Sequence, residues 1–177
     1  MKHHRRSIRL KEYDYTQSGL YFITICTNNR DMIFGEVVDG NVILNKWGEI
    51  VKYEWLQSEK LRQNIKMDDF VIMPNHFHGI IEIVNGDDGR GSTRRAPTTE
   101  QFCKPVINSI PTIIGAFKSA VTKNINNIRN SPGTKIWQRN YWEHVIRNDL
   151  DLFRIRQYII QNPLKWENDK YFIDDIT

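Results

Sequence analysis

Apolar and polar positions along the chain fall into two periods. In GLYFITICTNN, Tyr21, Ile23 and Ile25 alternate with Phe22, Thr24 and Cys26. The run is rich in aromatic and β-branched residues and ends at Asn28-Asn29, which predicts a first strand. FGEVVDGNVILN sets Asp39-Gly40 between two short apolar runs, the signature of a two-residue hairpin. KWGEIVKYEWLQSEKL then repeats Trp47, Ile50, Val51, Trp55 and Leu61 at helical spacing, predicting a helix over about 46–61. MDDFVIM (67–73) and HFHGIIEIV (76–84) read as two strands joined at Pro74-Asn75, where a proline that cannot donate to a ladder is well placed. Ile113, Ile114, Phe117, Val121, Ile125 and Ile128 mark a second helix, and the aromatic-dense KIWQRNYWEHVIR is expected to be a strand. Asn148, as an N-cap, opens a last helix, DLFRIRQYIIQ, that runs to the stop at Asn162-Pro163.

The resulting order is strand, hairpin, helix, strand, strand, helix, strand, helix. It favours an α+β sandwich in which an antiparallel sheet is covered by helices. A length of 177 residues suits one domain, here expected over 18–166. It is preceded by a basic arm (1–17), followed by a short tail (167–177), and interrupted by a polar, turn-rich loop at about 85–105.

Composition narrows the class. With 40% hydrophobic and 26% charged residues the chain is of folded, water-soluble type. Its longest apolar runs fall far short of a membrane span, and MKHHRRSIRL has no apolar stretch to act as a signal peptide, so a cytoplasmic location is expected. Cys26 and Cys103 are neither a metal pair nor a disulfide framework. The net charge of +4 is a mild excess, but its distribution is uneven. Basic residues gather at the N-terminus (Arg5, Arg6, Arg9), in the loop (Arg94, Arg95) and along the later segments (Lys118, Lys123, Arg139, Arg147, Arg154). Any one cluster reads more readily as a solvated face than as a binding site, but together they raise a nucleic-acid hypothesis.

The unusual chemistry lies in MPNHFHGIIEI. Strand alternation sends His76 and His78 to the same side, where two imidazoles can converge on one ion, and sends Phe77 to the other. An H-x-H pair is by itself a weak signal, and two idle, hydrogen-bonded histidines at a strand end would read the same way. Glu82 shares their parity but lies roughly 13 Å along the strand from His78, too far to share an ion. Tyr158 and Asn162, four apart on the last helix, share one face, and Arg154 extends that stripe by a turn. Tyr158 as a core residue and Asn162 as a plain helix stop remain the alternative.

From Gly19 to Trp166 the chain resembles the single-tyrosine HUH transposases, in particular the REP-associated tyrosine transposase branch. The resemblance rests on YFITICTNNR, VIMPNHFHGIIEI, FKSAVTK, WQRNYWEHVIR and RIRQYIIQNPLKW, which occur in the family's order. It implies a ferredoxin-like nuclease core with the helices mainly on one face of the sheet. It also implies Tyr158 as the nucleophile, with Tyr141 a poorer candidate because no ligand follows it at i+4. His76, His78 and Asn162 would hold Mg²⁺ or Mn²⁺. The implied reaction is cleavage and strand transfer of single-stranded DNA beside a hairpin through a 5′-phosphotyrosine. The basic residues named above would meet phosphates, and Trp137, Tyr141 and Trp142 would stack bases. Relatives of this kind include monomers and homodimers that exchange the tyrosine helix. Two other readings are a non-catalytic nucleic-acid binding module of the same fold and a metal-dependent hydrolase.

Overall fold

The computed structural model describes residues 13–84 and 106–172; Arg5, Arg6, Arg9, Arg94, Arg95 and Cys103 lie outside them. The elements are β1 (Gly19–Cys26), β2 (Gly35–Val38), β3 (Asn41–Leu44), α1 (Lys46–Lys60), β4 (Ile65–Met73), β5 (His76–Ile83), α2 (Ile110–Ile128), β6 (Trp142–Ile146) and α3 (Asp149–Gln161). Four strands form one antiparallel sheet in the order β4-β5-β1-β6, and β2 and β3 form a separate hairpin. Asp39 and Gly40 both take positive φ at its turn, as a primed two-residue hairpin requires. The fold is the expected α+β sandwich. Among the described residues no helix is long and apolar enough to cross a membrane.

Alternation along β5 divides the molecule. Phe77 and Ile81 enter the main core with Trp55 of α1 and Ile113, Phe117 and Val121 of α2. His76, His78 and Ile80 leave by the opposite face, where Phe22, Ile80, Ile146 and Ile159 form a second, smaller core beneath α3. Two helices therefore cover one face and α3 alone covers the other.

Asn148 caps α3, its side chain accepting from the Asp151 amide at 2.9 Å. Two interactions fix the helix on the sheet. Ile159, only 2% exposed, packs into the second core with Leu152 and Ile155 beside it, and burial of one such side chain contributes about 1.5–3 kcal/mol. A bulge between Met67 and Phe70 in β4 frees Asp68, which takes two hydrogen bonds from the Arg156 guanidinium, that from Nε at 3.2 Å. This pair is partly exposed and worth no more than about 1 kcal/mol. The apolar contact thus supplies most of the docking energy, and the ion pair sets the rotation of the helix.

One expected strand is shorter than its composition suggests. Of KIWQRNYWEHVIR only Trp142–Ile146 is strand, and Trp137 forms an isolated bridge to Thr27, just past the end of β1. The ammonium of Lys118 donates to the carbonyls of Gln138 (2.7 Å) and Arg139 (3.0 Å), removing them from any ladder. Trp137 is 6% exposed and packs between Phe34 and Phe117, so it is core and cannot stack a base. Tyr141 also packs against the core. The opposite end of the chain is drawn in as well, since Tyr15 is 3% exposed and belongs to the main core.

Gly79 marks a close approach between β5 and α1. A Cβ there would sit 2.6 Å from Trp55 Cζ2 and 2.7 Å from the Phe77 ring. Gly79→Ala should therefore lower stability by about 1–3 kcal/mol in denaturant unfolding, the ordinary effect of overpacking a core.

Candidate active site

β5 pairs with β1 in a register that sets Thr24 opposite His78 and Cys26 opposite His76. Both histidines are fully buried, at 0% and 1% exposure, and do not lie at a half-exposed strand end. Their ring centroids are 4.6 Å apart. Each is anchored through Nδ1, His78 to Thr24 Oγ1 and His76 to Asn75 Oδ1, both at 2.8 Å. The Asn75 amide donates from Nδ2 to the Tyr171 carbonyl at 2.7 Å, which turns its oxygen toward His76. His76 Nδ1 must then carry the proton, leaving a lone pair on Nε2, a buried atom with no hydrogen-bond partner among the described residues.

α3 brings the other groups. The Tyr158 hydroxyl lies 3.2 Å from His78 Nε2. One turn on, Asn162 is 2% exposed, donates from Nδ2 to Asp169 Oδ2 at 2.9 Å, and leaves Oδ1 buried and unpartnered among the described residues. The chain then runs through a 3₁₀ turn (Pro163–Asn168) to Asp169, whose other oxygen accepts the Tyr171 amide at 2.7 Å. His76, His78 and Asp169 offer ligand atoms that all lie within 4.8 Å of one another. Two neutral imidazole nitrogens, an amide oxygen and a carboxylate, two of these atoms buried and otherwise unsatisfied, form a donor set that fits a divalent cation. Glu82 is not part of the group.

Burial dominates the protonation states. It pushes His76 down to about 4, against the opposing pull of Asp169, and holds His78 well below the ordinary histidine range, with His76 adding to the effect. Burial and the Asp169 carboxylate raise Tyr158 to about 12. Both rings are thus neutral at pH 7, as metal ligation requires, and the phenol keeps its proton.

No protein-family model matches the chain. A Haemophilus influenzae protein of undescribed function is 40% identical over 173 residues, covering 97% of this chain and 95% of that one. A second H. influenzae protein, provisionally named a REP-associated tyrosine transposase, is 30% identical over 154 residues, 86% of this chain and 74% of the relative. The chain belongs to the REP-associated tyrosine transposase family. The Escherichia coli K12 REP-associated tyrosine transposase is 24% identical over 151 residues, 85% of this chain and 70% of that one. A solved REP-associated tyrosine transposase bound to a REP hairpin matches with a TM-score of 0.59 over 96% of this chain and 77% of that chain, at 21% identity, which establishes a shared fold.

In this family member the expected site residues divide by location. Tyr158, His76, His78 and Asn162 converge, and Arg154 lines the same cleft of about 520 Å³. Lys118, Lys123 and Arg139 border a separate cleft between α2 and the segment before β6. There Lys118 is engaged by backbone carbonyls, and burial lowers it to about 8, so its charge serves the fold. Arg147 is exposed after β6. Sequence reasoning missed Asp169 and Tyr171, which lie in the segment read as a tail; an aspartate in a polar turn gives no periodic signal. It also missed Thr24, whose role depends on strand register.

The histidine shifts fix the sign of an acid response. Between pH 6.5 and about 4 the unfolded chain binds protons that the buried His76 and His78 rings refuse. Stability is therefore full above pH 6.5 and falls as the pH drops through that window. In chelator, denaturant unfolding should show this loss, and it should flatten in His76→Asn; an unchanged slope in that variant would contradict the assignment.

Proposed function

We propose that the chain cleaves and rejoins single-stranded DNA beside a hairpin, with Tyr158 as nucleophile and His76, His78 and Asn162, joined by Asp169, holding Mg²⁺ or Mn²⁺. The observation that carries this reading is the Tyr158 hydroxyl 3.2 Å from His78 Nε2, on a helix that also delivers the unpartnered Asn162 oxygen to the same buried spot. Family membership and the hairpin bound by the solved relative support the substrate class.

The Tyr158 oxygen gives up its proton and attacks the scissile phosphorus, a P–O(Tyr) bond forms, the P–O3′ bond breaks, and the departing 3′-oxygen takes up a proton, so that the net proton transfer is from phenol to 3′-hydroxyl. A 5′-phosphotyrosine and a free 3′-hydroxyl result. Attack of a 3′-hydroxyl on that adduct reverses the exchange without an external energy source. With a phenol raised to about 12, the phenolate is on the order of one part in 10⁵ at pH 7, so the attacking form must be stabilised in the site. The divalent ion, when bound, supplies the positive charge that polarises the phosphate and favours the phenolate.

The chain's own residues do the remainder. Thr24 and Asn75 fix the two ring orientations from behind, as outer partners of metal-binding histidines do, and Asp169 orients the Asn162 amide. Phe22 and Ile159 keep water from the floor. Tyr158 and His78 meet here within one chain. Apart from Lys118, the basic residues outside the cleft would hold the duplex stem by phosphate contacts, in the cytoplasm.

The test is incubation with end-labelled hairpin DNA carrying single-stranded flanks, with Mg²⁺ or Mn²⁺, resolved on a denaturing gel. A covalent protein–DNA band should form, disappear with chelator, and fall at least about a thousandfold in Tyr158→Phe, while Tyr141→Phe retains it. Cleavage that survives Tyr158→Phe would favour metal-activated water, the hydrolase reading. Binding without cleavage across many hairpins would favour the non-catalytic module.

A further inference from the structure

The cleft that contains Tyr158 extends beyond the four groups above, and that extension is unused by the chemistry. It runs to β6, the edge strand of the sheet, where Trp142 and His144 point to the same side by strand alternation. The two rings are nearly parallel, with an interplanar angle of 4° and centroids 6.0 Å apart. Neither ring is loose. His144 Nε2 is 2.8 Å from Asp151 Oδ2 in the first turn of α3, the helix that carries Tyr158. The indole meets Phe22 edge-on at 5.8 Å, and Phe22 also meets the Tyr158 ring at 6.0 Å, so one buried phenylalanine braces both the platform and the phenol.

Trp142 is nonetheless 44% exposed, a large apolar ring left open to solvent beside a reactive group. Around it three cations, Arg154, Lys165 and Lys170, line the cleft against two carboxylates that are already engaged, Asp151 by His144 and Asp169 by Asn162 and the Tyr171 amide. Among the described residues Arg154 has no ion-pair partner. A volume of about 520 Å³ is within the range of pockets that enclose a small ligand. A flat aromatic face, cationic side chains and the proposed phosphate-cleaving centre on one wall suit an occupant with a planar ring and a negative backbone.

We infer that Trp142, held by Phe22 and extended by the His144–Asp151 pair, is a stacking site for an unpaired base next to the scissile phosphate. This rests on the proposed reaction for the word "scissile" but makes its own claim, that the chain grips a base and not only the backbone beside Tyr158. Stacking on an aromatic ring tolerates any base, so the subsite would add affinity and fix the strand's position, with sequence choice made elsewhere.

The test separates base from backbone. Binding is measured by fluorescence anisotropy in the uncuttable Tyr158→Phe protein, with fluorescein-labelled oligothymidylate and with an oligomer of the same length in which every base is replaced by an abasic tetrahydrofuran. The base-bearing strand should bind at least about fivefold more tightly. The ratio should approach one in Tyr158→Phe/Trp142→Ala and recover in Tyr158→Phe/Trp142→Phe, which restores a flat ring; recovery also shows that the cleft still folds. Equal affinities for the two strands in the parent protein, or a ratio unmoved by Trp142→Ala, would overturn the proposal. A missing covalent band with an intact ratio would instead overturn the cleavage reading and leave this subsite standing.

Discussion

Side chains of β5 leave the sheet in alternate directions, and the site exists because both directions are committed at once. Phe77 and Ile81 are locked into the α1–α2 core, and Gly79 between them is in contact with Trp55, so the strand can neither slip nor rotate. A one-residue slip would carry His76 and His78 into the apolar layer and expose the phenylalanine. The histidines are therefore held by the packing of residues that never meet them.

What the second face adds is a helix free of the main core. α3 rests on a small apolar patch and is oriented by Arg156 on the bulge in β4. Its next turn delivers Tyr158 and Asn162, and the chain beyond it folds back so that Trp166, Asp169 and Tyr171 close over His76. Dry surroundings keep the rings neutral and the phenol protonated, and in the proposed reading those neutral rings hold a cation on which the phenol relies for its reactivity.

Much of this was legible in the sequence where a local rule governs. Period-two alternation gave the common direction of His76 and His78, Asp39-Gly40 gave the hairpin, and Asn148 gave the start of the last helix. The four-residue spacing of Tyr158 and Asn162 placed them on one face. What no spacing could supply was the surface on which that face would land, since Arg156 meets Asp68 through a bulge 88 residues away. Composition also misled once, because the aromatics of KIWQRNYWEHVIR suggested a continuous strand, whereas Trp137 is there to fill the core and Lys118 takes the carbonyls that follow it. Asp169 was hidden for the opposite reason, in a polar segment whose placement follows only from the closing of the chain on His76.

In the proposed reading α3 completes a metal centre whose other half is β5. Equilibrium binding of Mn²⁺, followed by electron paramagnetic resonance, tests it without substrate or turnover. One site is expected in the wild type, weakened at least about tenfold by His76→Ala and, to a comparable degree, by Asn162→Ala on the separate helix. Binding lost in His76→Ala but unchanged in Asn162→Ala would mean that the strand holds the ion alone, and would contradict the two-element centre described here.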